Sequence, residues 1–70
     1  MTMETPQIKI AACRINAGMN QLEFAQALGV DRSTIANWEA GNTEPTASQL
    51  RRISELSGIP IDFIFVPMKS

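Results

Sequence analysis

Apolar residues recur at helical spacing along most of the chain, and Gly, Pro and cap residues divide this pattern into short segments. Asn20 and Glu23 form the signature of a capping box at the start of one such segment. Gly29 is suited to the left-handed backbone position that follows a helix end. The pattern therefore predicts short helices over 21–28 and 32–40, separated by a tight turn.

The second of these helices begins with polar residues and carries its large apolar residues further along. Asp31 stands where it can cap the helix, and Ile35 and Trp38 follow at positions suited to packing. Two short helices joined by a tight turn form a helix-turn-helix motif, here about 20–41, whose second helix enters the major groove of DNA. Its polar residues are therefore the candidates for contacting bases: Arg32, Ser33, Thr34 and Asn37.

A first helix is predicted ahead of the motif. Thr5 followed by Pro6 is typical of a helix start, and the helix is expected to run from there to about Ala17, with Gly18 ending it. Two apolar rows are possible on this helix, and periodicity does not choose between them. The rows are Ile10, Cys13 and Ala17, or Ile8, Ala12 and Ile15.

The segment after the motif predicts one longer helix and a short final element. Thr46 and Gln49 form a second capping box, and the helix that follows is expected to stop at Gly58. A fifth, short helix can follow, but the apolar run 61–66 fits an extended segment equally well. That run either packs across the first and fourth helices or, as part of 59–70, forms a dimerisation segment.

Composition agrees with a small globular domain. The 70 residues fit one domain, 1–70, and the predicted elements make it all-α, with four to five short helices. Cys13 is the single cysteine, so no intramolecular disulfide forms and a reducing compartment is expected. The chain shows neither a signal-peptide pattern nor an apolar run long enough to span a bilayer, which predicts a cytoplasmic protein without membrane contact.

The chain lacks the residues from which common active sites and metal sites are built. It has no His and no Tyr, and Cys13 lies among apolar residues, which predicts a buried, inert thiol. No Gly-rich phosphate loop is present. Enzyme activity, a metal site, a cofactor and a small-molecule ligand are therefore not expected.

The net charge of −1 and the pI of about 5.1 argue mildly against DNA binding, because nucleic-acid binders usually carry a basic surplus. The distribution of charge matters more than the sum. Glu23 and Asp31 have duties at helix starts, a dimer doubles the cationic contacts, and helix N-termini hold phosphates through backbone N–H groups. The acidic pI therefore weakens the DNA-binding interpretation without removing it.

Taken together, the motifs resemble those of the small helix-turn-helix repressors of the lambdoid phage repressor and Cro type, the XRE-like family. The resemblance covers nearly the whole chain and implies a compact helical bundle that binds operator DNA as a dimer. The matching residues are Arg14 in the first helix; Gln21, Leu22, Phe24 and Ala25 in the second; Gly29 and Val30 in the turn; Ser33, Thr34, Ile35, Trp38, Glu39 and Gly41 in and after the third; and Pro45, Leu50, Leu56, Gly58 and Ile59 beyond it.

The resemblance also implies roles for individual residues. The family's base-reading positions fall on the polar residues of the third helix, and Arg32 is the best suited because Arg pairs bidentately with guanine. Arg14 and Glu39 match a partly buried ion pair that fixes the third helix on the bundle. Glu44, in the loop after that helix, would repel a phosphate backbone, so weak binding or a dependence on dimer formation is expected. The expected phosphate contacts are Gln21, Asn20, Asn42 and Thr43.

The sequence thus predicts a sequence-specific DNA-binding transcriptional regulator, a repressor that binds a pseudo-palindromic operator as a homodimer. The alternative is a protein-interaction module that keeps the helix-turn-helix scaffold without reading DNA, such as an accessory factor or an antitoxin-like partner binder. The acidic pI and Glu44 favour this alternative. The two interpretations differ in the face of the third helix, which is locally basic in the first and neutral or acidic in the second.

Overall fold

Four α-helices carry most of residues 7–66, which are the residues that the computed structural model describes. The expected all-α fold is confirmed, with one short pairing of extended segments in addition. No helix in this part of the chain is long and apolar enough to cross a membrane. In chain order the elements are β1 Ile8–Lys9, α1 Ile10–Asn16, α2 Gln21–Leu28, α3 Arg32–Ala40, α4 Ala47–Ser57, a 3₁₀ turn at Ile61–Phe63, and β2 Ile64–Phe65.

The helix-turn-helix motif has the predicted bounds. α2 and α3 occupy the segments 21–28 and 32–40 and pack against each other. Gly29 takes a φ of 72°, and the N–H of Val30 donates to the carbonyl oxygen of Ala25 at 2.9 Å. A residue with left-handed backbone conformation at this position ends the helix and reverses the chain, so α2 and α3 are joined by a tight turn.

Reciprocal capping boxes start two of the helices, as predicted. Asn20 Oδ1 accepts from the N–H of Glu23 at 2.8 Å, and the Glu23 carboxylate accepts from the N–H of Asn20 at 2.9 Å. Thr46 and Gln49 form the same pair of bonds at the start of α4. Each box satisfies two N–H groups that the helix itself cannot, so both helix starts are fixed by their own sequence.

The core lies where the four α-helices meet. Phe24 of α2 and Ile35 of α3 are both fully buried, so the two motif helices are anchored on the rest of the bundle. Trp38 is 3% exposed, which confirms its predicted packing role. The buried apolar residues come from every α-helix: Ile10, Cys13, Phe24, Ala25, Ile35, Trp38 and Ile53.

The start of the first helix is predicted wrongly. α1 begins at Ile10, because the two preceding residues form β1, which pairs in parallel with β2. Ile8 lies opposite Ile64 in this pairing. The partner strand is near the other end of the chain, so helical periodicity around β1 gives no indication of it. The predicted start at Thr5 and Pro6 lies outside the described residues.

α1 buries the first of the two apolar rows that periodicity left open. Ile10 and Cys13 are 3% and 0% exposed, and Ala17 is half-buried. Ile15, from the other row, is 67% exposed, and Ala12 is exposed as well. The orientation of α1 is therefore set by its contact with the core.

The C-terminal segment combines both of the structures that its sequence allows. A single 3₁₀ turn at Ile61–Phe63 is followed by the extended residues of β2. Ile64 is half-buried and packs against the core, whereas Ile61 and Phe65 are 42% and 37% exposed. The segment thus packs on α1 and α4 and also presents apolar surface to solvent. The dimerisation role of 59–70 stays a prediction.

The Cys13 thiol is expected to react only when the protein unfolds. Its side chain is buried, and burial raises the pKa of the thiol above its ordinary value, so the reactive thiolate is scarce at neutral pH. We expect a thiol reagent to label the protein slowly in buffer and rapidly in denaturant. Equal labelling rates in the two conditions would contradict this expectation.

The raised pKa of Cys13 also has a consequence for stability at high pH. Because the folded state holds the thiol proton more tightly, this group stabilises the fold below its ordinary pKa, and the stabilisation is lost as pH rises through the folded pKa. The free energy of unfolding should therefore fall more steeply with alkaline pH in the wild type than in Cys13→Ala, as measured by urea denaturation at several pH values.

Candidate nucleic-acid interface

The first turn of α3 presents polar side chains to solvent while the helix packs through its other side. Arg32 and Ser33 are exposed, and Thr34 is half-buried. Ile35 and Trp38 are 0% and 3% exposed, which holds α3 on the core. The helix is thus rigidly supported and offers its first residues to a partner, although Thr34 is partly covered.

Arg32 lies beside the start of α2. Its side chain lines an open depression together with Asn20, Gln21, Leu22 and Arg14. The guanidinium of Arg32 makes no hydrogen bond or ion pair with any other described residue. The structure therefore brings the best candidate for base reading next to two of the predicted phosphate contacts, with all of its donors available.

The starts of α2 and α3 differ in how their backbone N–H groups are satisfied. At α2, the N–H groups of Asn20 and Glu23 are used by the capping box, and that of Gln21 has no acceptor within the helix. At α3, the prediction for Asp31 is wrong in part: it occupies the N-cap position, but its side chain accepts no cap hydrogen bond. The N–H of Thr34, which an Asp31 side-chain cap could use, donates to the main-chain carbonyl of Asp31 at 3.0 Å. Both helix starts can therefore donate backbone N–H groups to an anion.

The side-chain amide of Gln21 is bonded within the protein. Its Nε2 donates to Glu39 Oε1 at 3.1 Å. Glu39 also accepts from Arg14 Nε at 2.6 Å, and the side chains of this ion pair are only 16% and 13% exposed for Arg14 and Glu39. The sequence pattern gives no signal for the contact between Gln21 and Glu39, because the two residues lie in different helices and their pairing depends on how those helices pack.

The remaining predicted contacts lie at the other end of α3. Asn37 is exposed, and its Oδ1 accepts from Nδ2 of Asn42 at 3.4 Å. The main-chain N–H of Asn42 also donates to the carbonyl oxygen of Asn37 at 2.9 Å. Thr43 follows and is exposed. These three residues form a polar cluster of their own, and none of them lines the depression beside Arg32.

Leu22, which the sequence analysis named only as a residue that matches the family, is a surface residue of this region. Leu22 is 52% exposed and lines the depression with Arg32. An exposed leucine adds apolar surface next to a cation, and such a surface suits the methyl group of a thymine as well as an apolar side chain of a protein.

The exposed charges of the motif and of the loop after it are mostly negative. Within residues 20–44, Glu23, Asp31 and Glu44 are exposed, and Arg32 is the one cation. This segment as a whole therefore carries no surplus of exposed positive charge. The acidic groups do not gather either: no group of three His, Cys, Asp or Glu side chains in the described part of the chain is placed to hold a metal ion.

Comparisons with known proteins agree on one family. The helix-turn-helix family model matches residues 10–64. An uncharacterized HTH-type transcriptional regulator of Haemophilus influenzae is 40% identical over 42 residues, which cover 60% of this chain and 18% of that protein. YonR, a SPbeta prophage-derived uncharacterized HTH-type transcriptional regulator of Bacillus subtilis, is 30% identical over 56 residues, which cover 80% of this chain and 52% of YonR. An uncharacterized HTH-type transcriptional regulator of Sinorhizobium medicae is 32% identical over 57 residues, which cover 81% of this chain and 41% of that protein.

The matches cover most of this chain but only part of each relative. The chain spans about half or less of the length of each of these relatives. No solved structure gives a significant match. The family match includes all four α-helices, with the motif helices at its centre. The chain therefore belongs to the XRE-type helix-turn-helix family.

Proposed function

We propose that this chain is a DNA-binding transcriptional regulator that reads a specific operator through α3. The observation that carries the proposal is the exposed and unpaired Arg32 at the start of a helix that is held firmly on the core. Asn20 and Gln21, at the start of α2, line the same depression. A duplex that offered a base edge to Arg32 would therefore offer phosphates to the start of α2. The family membership and the regulator relatives support the same function.

Each polar residue of the motif has a chemical role in this proposal. Arg32 donates two N–H groups to O6 and N7 of a guanine, and the amide of Asn37 suits N6 and N7 of an adenine. The hydroxyl groups of Ser33 and Thr34 suit several base edges. The phosphate contacts come from the start of α2 and from the loop after α3, at Asn20, the main-chain N–H of Gln21, Asn42 and Thr43.

The proposed regulator acts as a homodimer on a pseudo-palindromic site. Two copies double the number of cations at the interface. This raises the attraction to DNA, because each copy offers a single unpaired cation within residues 20–44. A dimer places its two α3 helices in successive major grooves, about 34 Å apart. The exposed Ile61 and Phe65 supply apolar surface through which 59–70 pairs the two copies. Bound at a promoter, such a dimer represses transcription by excluding RNA polymerase.

A protein-interaction module is the second candidate function, and the surface charge favours it. Glu23, Asp31 and Glu44 are exposed around the motif, and a negative surface lowers affinity for a phosphate backbone. In this alternative, the depression with Leu22 and Arg32 binds an apolar and acidic segment of a protein partner. The experiment that tests operator reading also decides between the two functions.

Arg32→Ala is expected to weaken binding to the preferred duplex by about 10- to 100-fold, which corresponds to the loss of one bidentate base contact. The preferred duplex is first obtained by selecting the wild-type protein against a random pool, and a palindrome is expected. Base preference should relax at one position of each half-site. Arg51→Ala is the matched control, because it removes the same charge from an exposed position on α4. Any effect of this control should be equal on all duplexes.

Circular dichroism of both variants shows whether they are folded, which separates a binding defect from unfolding. If the folded wild type enriches no duplex at low salt, operator reading is wrong and the protein-interaction alternative is favoured. If Arg32→Ala weakens binding to every duplex by the same factor, Arg32 contacts phosphate and does not read a base.

A further inference from the structure

One carboxylate connects three parts of the bundle around the motif. Glu39, in the last turn of α3, accepts from Arg14 Nε at 2.6 Å and from Arg14 Nη2 at 3.4 Å. It also accepts from Gln21 Nε2 at 3.1 Å. Arg14 belongs to α1 and Gln21 is the first residue of α2, so the carboxylate joins the last turn of α3 to both of the preceding helices.

The same arginine holds the connection that leads into α2. Arg14 Nη1 donates to the carbonyl oxygen of Met19 at 3.0 Å, immediately before the N-cap residue Asn20. The start of α2 is therefore fixed at two points: its backbone by Arg14, and its first side chain by Glu39. Both contacts are partly buried, where a hydrogen bond to a charged group is stronger than in water.

We propose that Gln21 is a positioning residue that sets the orientation of α3 relative to the start of α2, and that its side chain does not serve as a phosphate contact. This inference rests on the proposed function, since it concerns how the base-reading helix is held. One N–H of the Gln21 amide donates to Glu39, and a phosphate bound at the other N–H would set a second negative charge near that carboxylate. Arg32 lines the depression beside Gln21, so a change in the angle between α2 and α3 moves the proposed base reader relative to the groove.

A phosphate contact and a positioning contact predict different behaviour on different DNA sequences. A lost phosphate contact weakens binding to all duplexes by a similar factor. A displaced α3 weakens binding only where base edges are read, because contacts with phosphates carry no sequence information. The ratio of specific to non-specific affinity therefore separates the two roles, and a residue that only supports stability leaves that ratio unchanged in the folded protein.

The experiment compares Gln21→Met with Gln26→Met. Methionine has nearly the size of glutamine and cannot donate to Glu39, and Gln26 is an exposed residue of the same helix. Affinities are measured for the duplex selected by the wild type and for an unrelated duplex of equal length. We expect Gln21→Met to weaken binding to the selected duplex by about tenfold, roughly the cost of one mismatched base pair, with no change on the unrelated duplex. Gln26→Met should bind both as the wild type does.

A second variant, Gln21→Glu, keeps the result interpretable if the methionine variant is poorly folded. Its carboxylate faces that of Glu39, so it should reduce the ratio of specific to non-specific affinity at least as strongly as Gln21→Met. Equal losses on both duplexes, or no loss on either, would overturn the positioning role while leaving operator reading intact. Failure of the wild type to select any duplex would instead overturn the proposed function, and the positioning role with it.

Discussion

Glu39→Leu is expected to lower the free energy of unfolding by about 3 kcal/mol, the lower end of the range for breaking a buried ion pair by removing one partner. The substitution leaves the guanidinium of Arg14 in a site where its side chain is only 16% exposed. Arg14 keeps one hydrogen bond to the protein, to the carbonyl of Met19, but no counter-ion. Gln21 loses its acceptor at the same time. Urea denaturation followed by circular dichroism measures the change.

Two further variants test whether the lost stability comes from a buried charge that lacks its partner. In the double variant Arg14→Met with Glu39→Leu, both charges are replaced by apolar groups, so most of the lost stability should return. Arg52→Ala is the control for an exposed pair: Arg52 and Glu55 lie 3.2 Å apart with side chains 53% and 58% exposed. Its loss should cost about 0.5 kcal/mol or less. A Glu39→Leu variant as stable as Arg52→Ala would contradict the structural role assigned to the pair.

Features of the fold that depend on neighbours in the sequence could be predicted from the sequence. The capping boxes at Asn20 and Thr46 each use a partner three positions further on, so the signal lies within one helical turn. Gly29 works in the same way, since the left-handed position that it occupies depends on the local backbone. The bounds of α2, α3 and α4 follow from these signals together with the spacing of apolar residues.

Features that depend on distant segments could not be predicted from periodicity. Ile8 is extended because it pairs with Ile64, and neither segment carries a sign of the other. The two apolar rows of α1 were equally regular, and only the position of α1 on the core exposes Ile15. The ion pair between Arg14 and Glu39 was available from the resemblance to a family and not from the pattern of the chain.

At the candidate interface, too, local features could be predicted from the sequence and features that depend on helix packing could not. The polarity of the first turn of α3 identifies Arg32 as a surface residue, but its place beside the start of α2 depends on how the two helices pack. The bond between Gln21 and Glu39 depends on that packing too, and from it we infer a positioning role for a residue that the resemblance assigned to phosphate. The cap at Asp31 is a local prediction that is wrong in part, since the N–H of Thr34 donates to the main-chain carbonyl of Asp31 and not to its side chain.

The acidic surface determines which contacts the proposed regulator needs for DNA binding. With Arg32 as the one cation of the motif segment and Glu44 exposed nearby in the sequence, the electrostatic part of DNA affinity is small for a single copy. Specific binding then depends on correctly placed base contacts and on the number of copies bound. For such a protein the rigidity of α3 matters more than for a strongly basic one, since non-specific attraction cannot compensate for a misplaced helix.

Phe24→Ala is expected to lower the free energy of unfolding by about 3 to 5 kcal/mol, which is the usual cost of removing a fully buried phenylalanine. Phe24 is 0% exposed and belongs to the cluster that joins α2 to the other helices. A small domain has few other core residues to compensate, so a large fraction of the variant should be unfolded at room temperature. Leu22→Ala is the matched control on the same helix, because Leu22 is 52% exposed and its truncation should cost less than about 1 kcal/mol.

The pair of variants also separates the two ways in which α2 can affect DNA binding. Phe24→Ala should lose affinity for the selected duplex and for an unrelated duplex together, because the unfolded fraction binds neither duplex as the folded protein does. Excess selected duplex should restore folding by mass action. Leu22→Ala should stay folded, so any loss that it shows reports a contact at the depression beside Arg32. A stable Phe24→Ala variant would contradict the role of Phe24 in holding α2 on the core.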